Sequence, residues 1–446
     1  MQSLERDLAL DDAVAALKEK IASRTALVGV VGVGYVGLPL AVEKAKVGFT
    51  VVGYDRNAER VAKINAGENY IRDVADAELC EMVRAGRLRA SADLADLQRC
   101  DVIVICVPTP LTPNRDPDIS YVRATAEAIA RILRRGQLVC LESTTYPGTT
   151  EEVLLPLFAA TGLKVGADFF LAFSPERVDP GNKRYTTRNT NKVVGGVTPG
   201  CCDVASTFYG ATILDVLPVS SPRVAEMTKV FENTFRAVNI ALVNEMALLC
   251  DRLDIDIWEV IDAAATKPFG IMRFDPGPGV GGHCIPIDPF YLTWKAREVD
   301  FATRFIELAG EVNLQMPYFV REKVGRALNA AGRALNGAGI LVIGVAYKRD
   351  IEDWRESPAL KVIELLRRDG AALSYHDPFV PAFSTNGQAH SSVALTAEAL
   401  EAADCVVILT DHSTVDWDFV VAHARRVVDT RNATRGVADR ERVVRL

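Results

Sequence analysis

The sequence predicts an α/β protein of two Rossmann-like, doubly wound parallel sheets joined by a long-helix central domain. Three observations predict it. Short apolar runs alternate with helical stretches from residue 26 to residue 196, the pattern of a parallel sheet with crossover helices. One uninterrupted helical pattern then runs from Val224 to about Leu253. The α/β alternation restarts at Gly339. At 446 residues the chain has room for two or three domains.

The elements follow in order. Val14, Leu17 and Ile21 fall at helical spacing, so a short amphipathic helix over residues 11–22 precedes the first domain. Residues 26–31 read as a buried strand, followed by a glycine-rich turn and a helix from about Leu38. Residues 49–54, 101–107, 137–141, 169–173 and 192–196 read as the further strands of this sheet. The long helix carries an apolar stripe, Met227, Phe231, Phe235, Val238, Leu242, Met246 and Leu249, in steps of three and four. It would span roughly 45 Å, enough to bridge two domains or to form a subunit interface, and a homodimer is the minimum expected. More helix flanks Cys284, out to about Ala330. Strands at 339–344, 372–377, 405–410 and 426–429, with a helix at 358–368, complete a smaller sheet. The expected divisions are residues 1–24, 25–215, 216–330 and 331–446.

Composition narrows the functional classes. With 49% hydrophobic and 24% charged residues the chain reads as a soluble globular protein. A net charge of −7 gives no general affinity for nucleic acid or anionic membrane. The nine cysteines include no CxxC pair, and Cys106, Cys140, Cys250 and Cys405 sit in apolar patterns. The five histidines lack ligand spacing. Neither a disulfide framework nor a metal site is expected. No apolar run reaches membrane-spanning length and the N-terminus lacks an apolar signal core, so the expected compartment is a reducing cytoplasm.

Gly32-Val33-Gly34-Tyr35-Val36-Gly37 lies directly between a strand and a helix. The first glycine makes the turn, the second admits a pyrophosphate, and the third lets helix and strand approach. The helix N-terminus then faces the phosphates. Asp55 ends the second strand, placed to bond a ribose 2′-hydroxyl, so NAD is expected over NADP. Arg56 beside it is a residue that can receive a 2′-phosphate. Pro108 and Thr109, and then Ser143, Thr144 and Thr145, follow strand ends, where ligands bind in such sheets. Glu176 and Arg177 hold the same position after the strand at 169–173.

A second glycine run, Pro276 to Gly282, leads to His283 and Cys284. It suits a loop that approaches a ligand and presents one thiol. On the long helix, Glu226, Lys229, Asn233 and Arg236 form a polar stripe separate from the apolar one. It is either a solvated face or part of a site.

These residues resemble the nucleotide-sugar dehydrogenases that oxidise a UDP-sugar at C6. The resemblance runs from about Val28 to Asn432. It rests on residues 32–39, 142–145 and 174–176, on Glu226, Lys229 and Asn233, on Gly281-Gly282-His283-Cys284, on Tyr347-Lys348 and on residues 353–358. Within that family, residues 267–270 and 284–292 look most like the UDP-N-acetylglucosamine 6-dehydrogenases. Ile287 stands where the glucose branch has Lys, and Phe290 where the mannosamine branch has Trp.

The resemblance implies NAD as cofactor, a UDP-sugar as substrate and polysaccharide precursor supply as context. It implies that Cys284 adds to the C6 aldehyde, that a second oxidation yields a thioester, and that water releases the acid. The reacting sulfur must be a thiolate, which a neighbouring cation favours. Lys229 is that cation and would also stabilise the oxyanion, with Asn233 donating to the same oxygen. Asp288 would position water or take a proton, and Glu176 and Thr145 would serve proton transfer and hydrolysis. Tyr347, Lys348 and Arg355 would meet the UDP moiety. Gly281, Arg177, Arg236, Lys267 and Arg273 complete the expected substrate contacts; for Lys348, Arg355, Lys267 and Arg273 surface ion pairing is the alternative. A two-electron β-hydroxyacid dehydrogenase would account for Lys229 and Asn233, but for neither Cys284 nor the third region. A non-catalytic NAD-binding module would leave Lys229, Cys284 and Asp288 without a purpose.

Overall fold

The structure, a computed structural model, describes residues 2–71, 74–112, 114–179, 182, 184–282, 284–385 and 387–446, with side chains from residue 12 onward. They divide into two compact units, Met1–Glu232 with Phe290–Phe301 and Asn233–Pro289 with Ala302–Leu446. His283 of the thiol loop lies outside the described residues.

The first unit is built on eight strands: β1 (Leu27–Val31), β2 (Thr50–Tyr54), β3 (Leu88–Ser91), β4 (Val102–Ile105), β5 (Gln137–Leu141), β6 (Phe169–Phe173), β7 (Lys192–Gly196) and β8 (Val216–Val219). Their order is β3-β2-β1-β4-β5-β6-β7-β8. β1 to β6 run parallel in the order of dinucleotide-binding sheets, whose switch point lies between β1 and β4. β4, β5 and β6 are buried at every residue, because layers cover both faces of such a sheet. The sheet departs from the all-parallel expectation at one place. β7 runs antiparallel to β6, and β8 runs parallel to β7. A parallel return needs a crossover over the sheet face, usually a helix. The connection 174–191 has no helix among its described residues, so the chain turns straight back. β8 also carries the sheet past the boundary expected at residue 215.

The N-terminal helix, Gln2–Ala22, is longer than expected. It buries Leu17 and Ile21, and Lys18 and Lys20 pair with Asp203 and Asp101 at 2.7 and 3.0 Å.

In the second unit, β9 (Gly339–Ile343), β10 (Ala372–His376), a hairpin of β11 (Ala382–Thr385) and β12 (Gln388–Ser391), β13 (Cys405–Ile408), β14 (Val427–Asp429) and β15 (Val443–Arg445) follow in sequence. The sheet order β10-β9-β13-β14-β15, all parallel, is again doubly wound, with a switch point between β9 and β13. The two sheets open alike. Gly32 after β1 and Gly344 after β9 have φ of 87° and 85°. An Asp ends the second strand in each: Asp55 accepts from the Val33 amide at 3.2 Å, and Asp377 from those of Val345 and Ala346 at 2.7 and 3.1 Å.

The long helix, Pro222–Leu253, contributes to both units. Its two stripes are the reverse of a lone surface helix. Glu226, Lys229 and Asn233 are buried, continued by Ala237, Ala241, Asn244, Ala247 and Cys250. Met227, Phe231, Phe235, Leu242, Met246 and Leu249 are exposed, Phe231 by 61% and Leu242 by 55%. Arg236 is exposed and leaves the polar stripe. Among the described residues no helix is long and apolar enough to cross a membrane.

Candidate active site

The glycine turn is built as its spacing predicts. A Cβ on Gly32 would stand 2.5 Å from the Cys106 carbonyl oxygen, and one on Gly37 only 1.9 Å from that of Gly32. At Gly34 a Cβ would meet nothing within 4 Å. So Gly32 and Gly37 are demanded by the fold, whereas Gly34 borders open space. The helix Gly37–Lys46 begins at Val36 with no side-chain cap; Leu38 N already donates to Gly34 O at 3.0 Å and Pro39 has no N–H, so the first-turn amide left to an anion is that of Gly37. Tyr35 is exposed. Asp55 takes one hydrogen bond on each oxygen, from Val33 N at 3.2 Å and Asn57 N at 2.9 Å, and Arg60 Nη1 lies 3.5 Å from its Oδ2. A carboxylate has further lone pairs, so capacity for a ribose hydroxyl remains. Arg56 is exposed. Open space at Gly34, an uncapped helix start and an acid at the strand end fit a dinucleotide.

Around this edge, Thr109 O accepts from Tyr291 Oη at 2.8 Å, and Pro108 is exposed. Ser143 Oγ donates to Val107 O at 2.7 Å, joining the two loops, and Thr144 is half-buried. Thr145 is buried, and its hydroxyl has no hydrogen-bond partner among the described residues. An orphaned buried hydroxyl suits a bound polar ligand.

Glu176 follows β6. Its Oε1 accepts from the amides of Val178 and Arg177 at 2.7 and 2.8 Å, and its Oε2 lies 3.3 Å from Lys192 Nζ. Burial acts to raise its carboxyl, but Lys192, the two amides and Lys229 outweigh burial and hold it below the usual carboxylate range. Glu226, by contrast, is structural in its contacts. It accepts from Gly148 N, Thr150 N and Thr150 Oγ1 at 2.5, 2.9 and 2.7 Å. Burial pushes its carboxyl up against the pull of those bonds.

Lys229, in the first unit, is buried, with no ion pair or hydrogen bond among the described residues. In the second unit, Asn233 and Asp288 are both buried and joined by a bond of 2.5 Å. Cys284 is the exposed thiol among nine cysteines. Its carbonyl accepts from Ile287 N at 3.0 Å and Asp288 N at 2.8 Å, so the thiol loop closes into the turn that starts the helix Asp288–Ala296. The loop is seated by its glycines. A Cβ on Gly281 would stand 2.7 Å from Tyr347 Cβ and 2.8 Å from Pro358 Cδ; one on Gly277 would stand 2.5 Å from Arg431 Nη1. Gly281 and Tyr347 are thereby brought together, with Lys348 half-buried beside them.

Other expected contacts are otherwise engaged. Arg177 forms a two-pronged pair with Glu232 at 2.6 and 3.3 Å. Arg273 pairs with Asp262 and Asp275 at 2.5 and 3.0 Å, the surface pairing held open above. Arg355 pairs with Asp353 at 2.8 Å, and Lys267 is exposed, its ammonium 4.9 Å from the Phe269 ring centroid. No sequence motif marks Lys192, buried in β7, or Arg431, whose Nε donates to Leu409 O at 3.0 Å beyond β14. A charged residue opening an apolar strand was the signal for Lys192.

Comparisons with known proteins agree with this geometry. Residues 26–213 match the NAD binding domain of the UDP-glucose/GDP-mannose dehydrogenase family, 223–315 its central domain and 341–436 its UDP binding domain. The chain is 38% identical over 411 residues to the UDP-N-acetyl-D-mannosamine dehydrogenase of Pyrococcus horikoshii, covering 91% of this chain and 95% of that one. It is 38% identical over 357 residues to the UDP-N-acetyl-D-glucosamine 6-dehydrogenase of Pseudomonas aeruginosa, covering 80% and 83%. The solved structure of the Pyrococcus horikoshii UDP-D-ManNAc dehydrogenase matches with a TM-score of 0.83 at 36% identity, over 91% of this chain and 96% of that one.

Proposed function

Because the chain belongs to the UDP-glucose/GDP-mannose dehydrogenase family, we propose that it oxidises C6 of a UDP-N-acetylhexosamine to the carboxylic acid through a thioester on Cys284. It is an NAD-dependent UDP-sugar dehydrogenase. NAD, when bound, supplies the hydride acceptor for each of two oxidations at C6. Gly34, the Gly37 amide and Asp55 would hold it.

The chain's own residues do the rest. The Cys284 sulfur adds to the C6 aldehyde, and the resulting thiohemiacetal carbon is oxidised to a thioester. Water then attacks, the carbon–sulfur bond breaks, and the thiol is regenerated with the acid. Lys229 balances the oxyanion formed at each addition, and Asn233 donates to it. Asp288 or Glu176 takes the proton of water, and Thr145 bonds the reacting oxygens. Tyr347, Lys348 and Arg431 serve the UDP end. The observation that carries this reading is the exposed Cys284 at the end of a glycine-seated loop, four residues before an Asp that Asn233 holds.

Ile287 and Phe290 favour the N-acetylglucosamine epimer. The mannosamine epimer is the second reading, favoured by the extent of the Pyrococcus horikoshii match. The exposed apolar face of the long helix supports a homodimer. The test is NADH formed against a panel of UDP-sugars: two per sugar from the wild type, and no acid from Cys284→Ala with NAD binding intact. One NADH per sugar, or acid from the variant, would overturn the thioester.

A further inference from the structure

The reversal of β7 has a chemical effect. A parallel β7 would put its first residue at the amino edge of the sheet. Running antiparallel, it puts Lys192 at the carboxyl edge, where the ligand loops lie. Ala172 pairs with Gly196 and Phe173 with Gly195; continued past Phe173, this register sets Glu176 level with Lys192. Lys192 Nζ stands 3.0 Å from Glu142 Oε1 and 3.3 Å from Glu176 Oε2. Glu142, directly after β5, is fully buried, and its contact with Lys192 is an ion pair rather than an aligned hydrogen bond.

We propose that Lys192 is a positioning residue for Glu176, shared with Glu142, and that this buried trio aims the free lone pair of Glu176 Oε2 at the water that cleaves the thioester. The proposal rests on the functional reading above. Glu176 Oε1 is already filled by two amides, so only Oε2 can take a proton, and Lys192 decides where it points. Two carboxylates on one ammonium make the arrangement tunable: Glu142 competes with Glu176 for the same cation. Burying three charges is weak as a source of stability.

The surrounding ionisable groups are few. From the long helix, the charge of Lys229 acts on Glu176. After β4, Cys106 Sγ lies 3.7 Å from Glu142. From the helix Pro199–Gly210, Tyr209 Oη donates to Cys140 Sγ at 3.2 Å, its ring 5.3 Å from Lys192 Nζ. From the glycine-turn helix, Lys44 donates to Phe208 O at 2.6 Å. Arg177 is engaged by Glu232. Lys192 is the cation in contact with both carboxylates.

The test compares two variants whose effects have opposite sign. Lys192→Met leaves Glu176 near a second buried carboxylate without the cation the two share, so the acid limb of the kcat–pH profile moves to higher pH. Glu142→Gln gives Lys192 to Glu176 alone, so that limb moves to lower pH. Lys192→Met also slows the second half-reaction by up to about a hundredfold, the lower end of general-base contributions. Acyl-enzyme mass then accumulates on Cys284, with NAD affinity unchanged and KM falling in step with kcat, and Lys192→Arg restores turnover. Should Lys192→Met not fold, Lys192→Arg and Glu142→Gln still read the limb. Limbs unmoved, or moved the same way in both variants, would overturn the proposal while wild-type NADH formation leaves the functional reading standing. No NADH from the wild type with any UDP-sugar would overturn both.

Discussion

Asn233 and Asp288 share a buried hydrogen bond, the amide of one donating to the carboxylate of the other at 2.5 Å. It ties the long helix to the first turn after Cys284. Replacing Asn233 by Leu removes a donor from both Asp288 and the proposed oxyanion. We expect kcat to fall about 10²- to 10³-fold and stability by about 1–3 kcal/mol, with NAD affinity unchanged. Stopped-flow NADH formation and nucleotide titration measure both; unchanged kcat would remove Asn233 from the chemistry.

The glycines of the turn should separate fold from ligand. Gly34→Ala adds a methyl into open space. It should keep the thermal midpoint and weaken NAD binding at least tenfold, about 1.4 kcal/mol. Gly37→Ala collides with the Gly32 carbonyl and should lose at least about 1–3 kcal/mol of stability. Calorimetry on both variants checks the split. A destabilised Gly34→Ala would show that the gap is not a ligand space.

The outer face of the long helix gives a prediction about assembly. Phe231→Glu places a charge where a 61%-exposed aromatic stands. If two copies pair there, the variant sediments as a monomer at concentrations where the wild type is a dimer. A wild type that is monomeric throughout would leave that apolar face unexplained by self-association.

The second sheet should respond to acid. Burial acts to raise the Asp377 carboxyl, but His412 and the Val345 and Phe379 amides outweigh it and hold the carboxyl below its usual range. A depressed carboxylate contributes stability above its unfolded pKa of about 3.9, lost as pH falls through its folded value. Asp377→Asn should cost about 1–3 kcal/mol at pH 7, and the gap to wild type should close below about pH 4. Urea midpoints across pH follow it; a gap constant with pH would assign the loss to packing rather than charge.

Much of this was readable from residue order. β1, β4 and β5 announce themselves because a strand covered on both faces needs an apolar residue at nearly every position. The Gly32 turn is legible because no other residue fits its contacts. β3 and β8 were hidden: both are short, and β8 carries two exposed residues, one of them Pro218. The direction of β7 depends on a connection with no local pattern. The helix stripes were visible, but which one faces inward was not. Lys192 escaped because charge reads as surface, and only the reversed strand shows it to be the partner of Glu142.

Asp55 and Asp377 occupy equivalent places, yet one keeps room for a ligand and the other does not. His412 lies against Asp377 at 3.1 Å, while the Phe379 and Val380 amides take its other oxygen at 2.8 and 3.0 Å. A scan for a glycine turn and a terminal acid would therefore count two cradles in this chain and be wrong about one. The imidazole makes that second acid a brace, and recognition in that half must fall to side chains farther along the same rim.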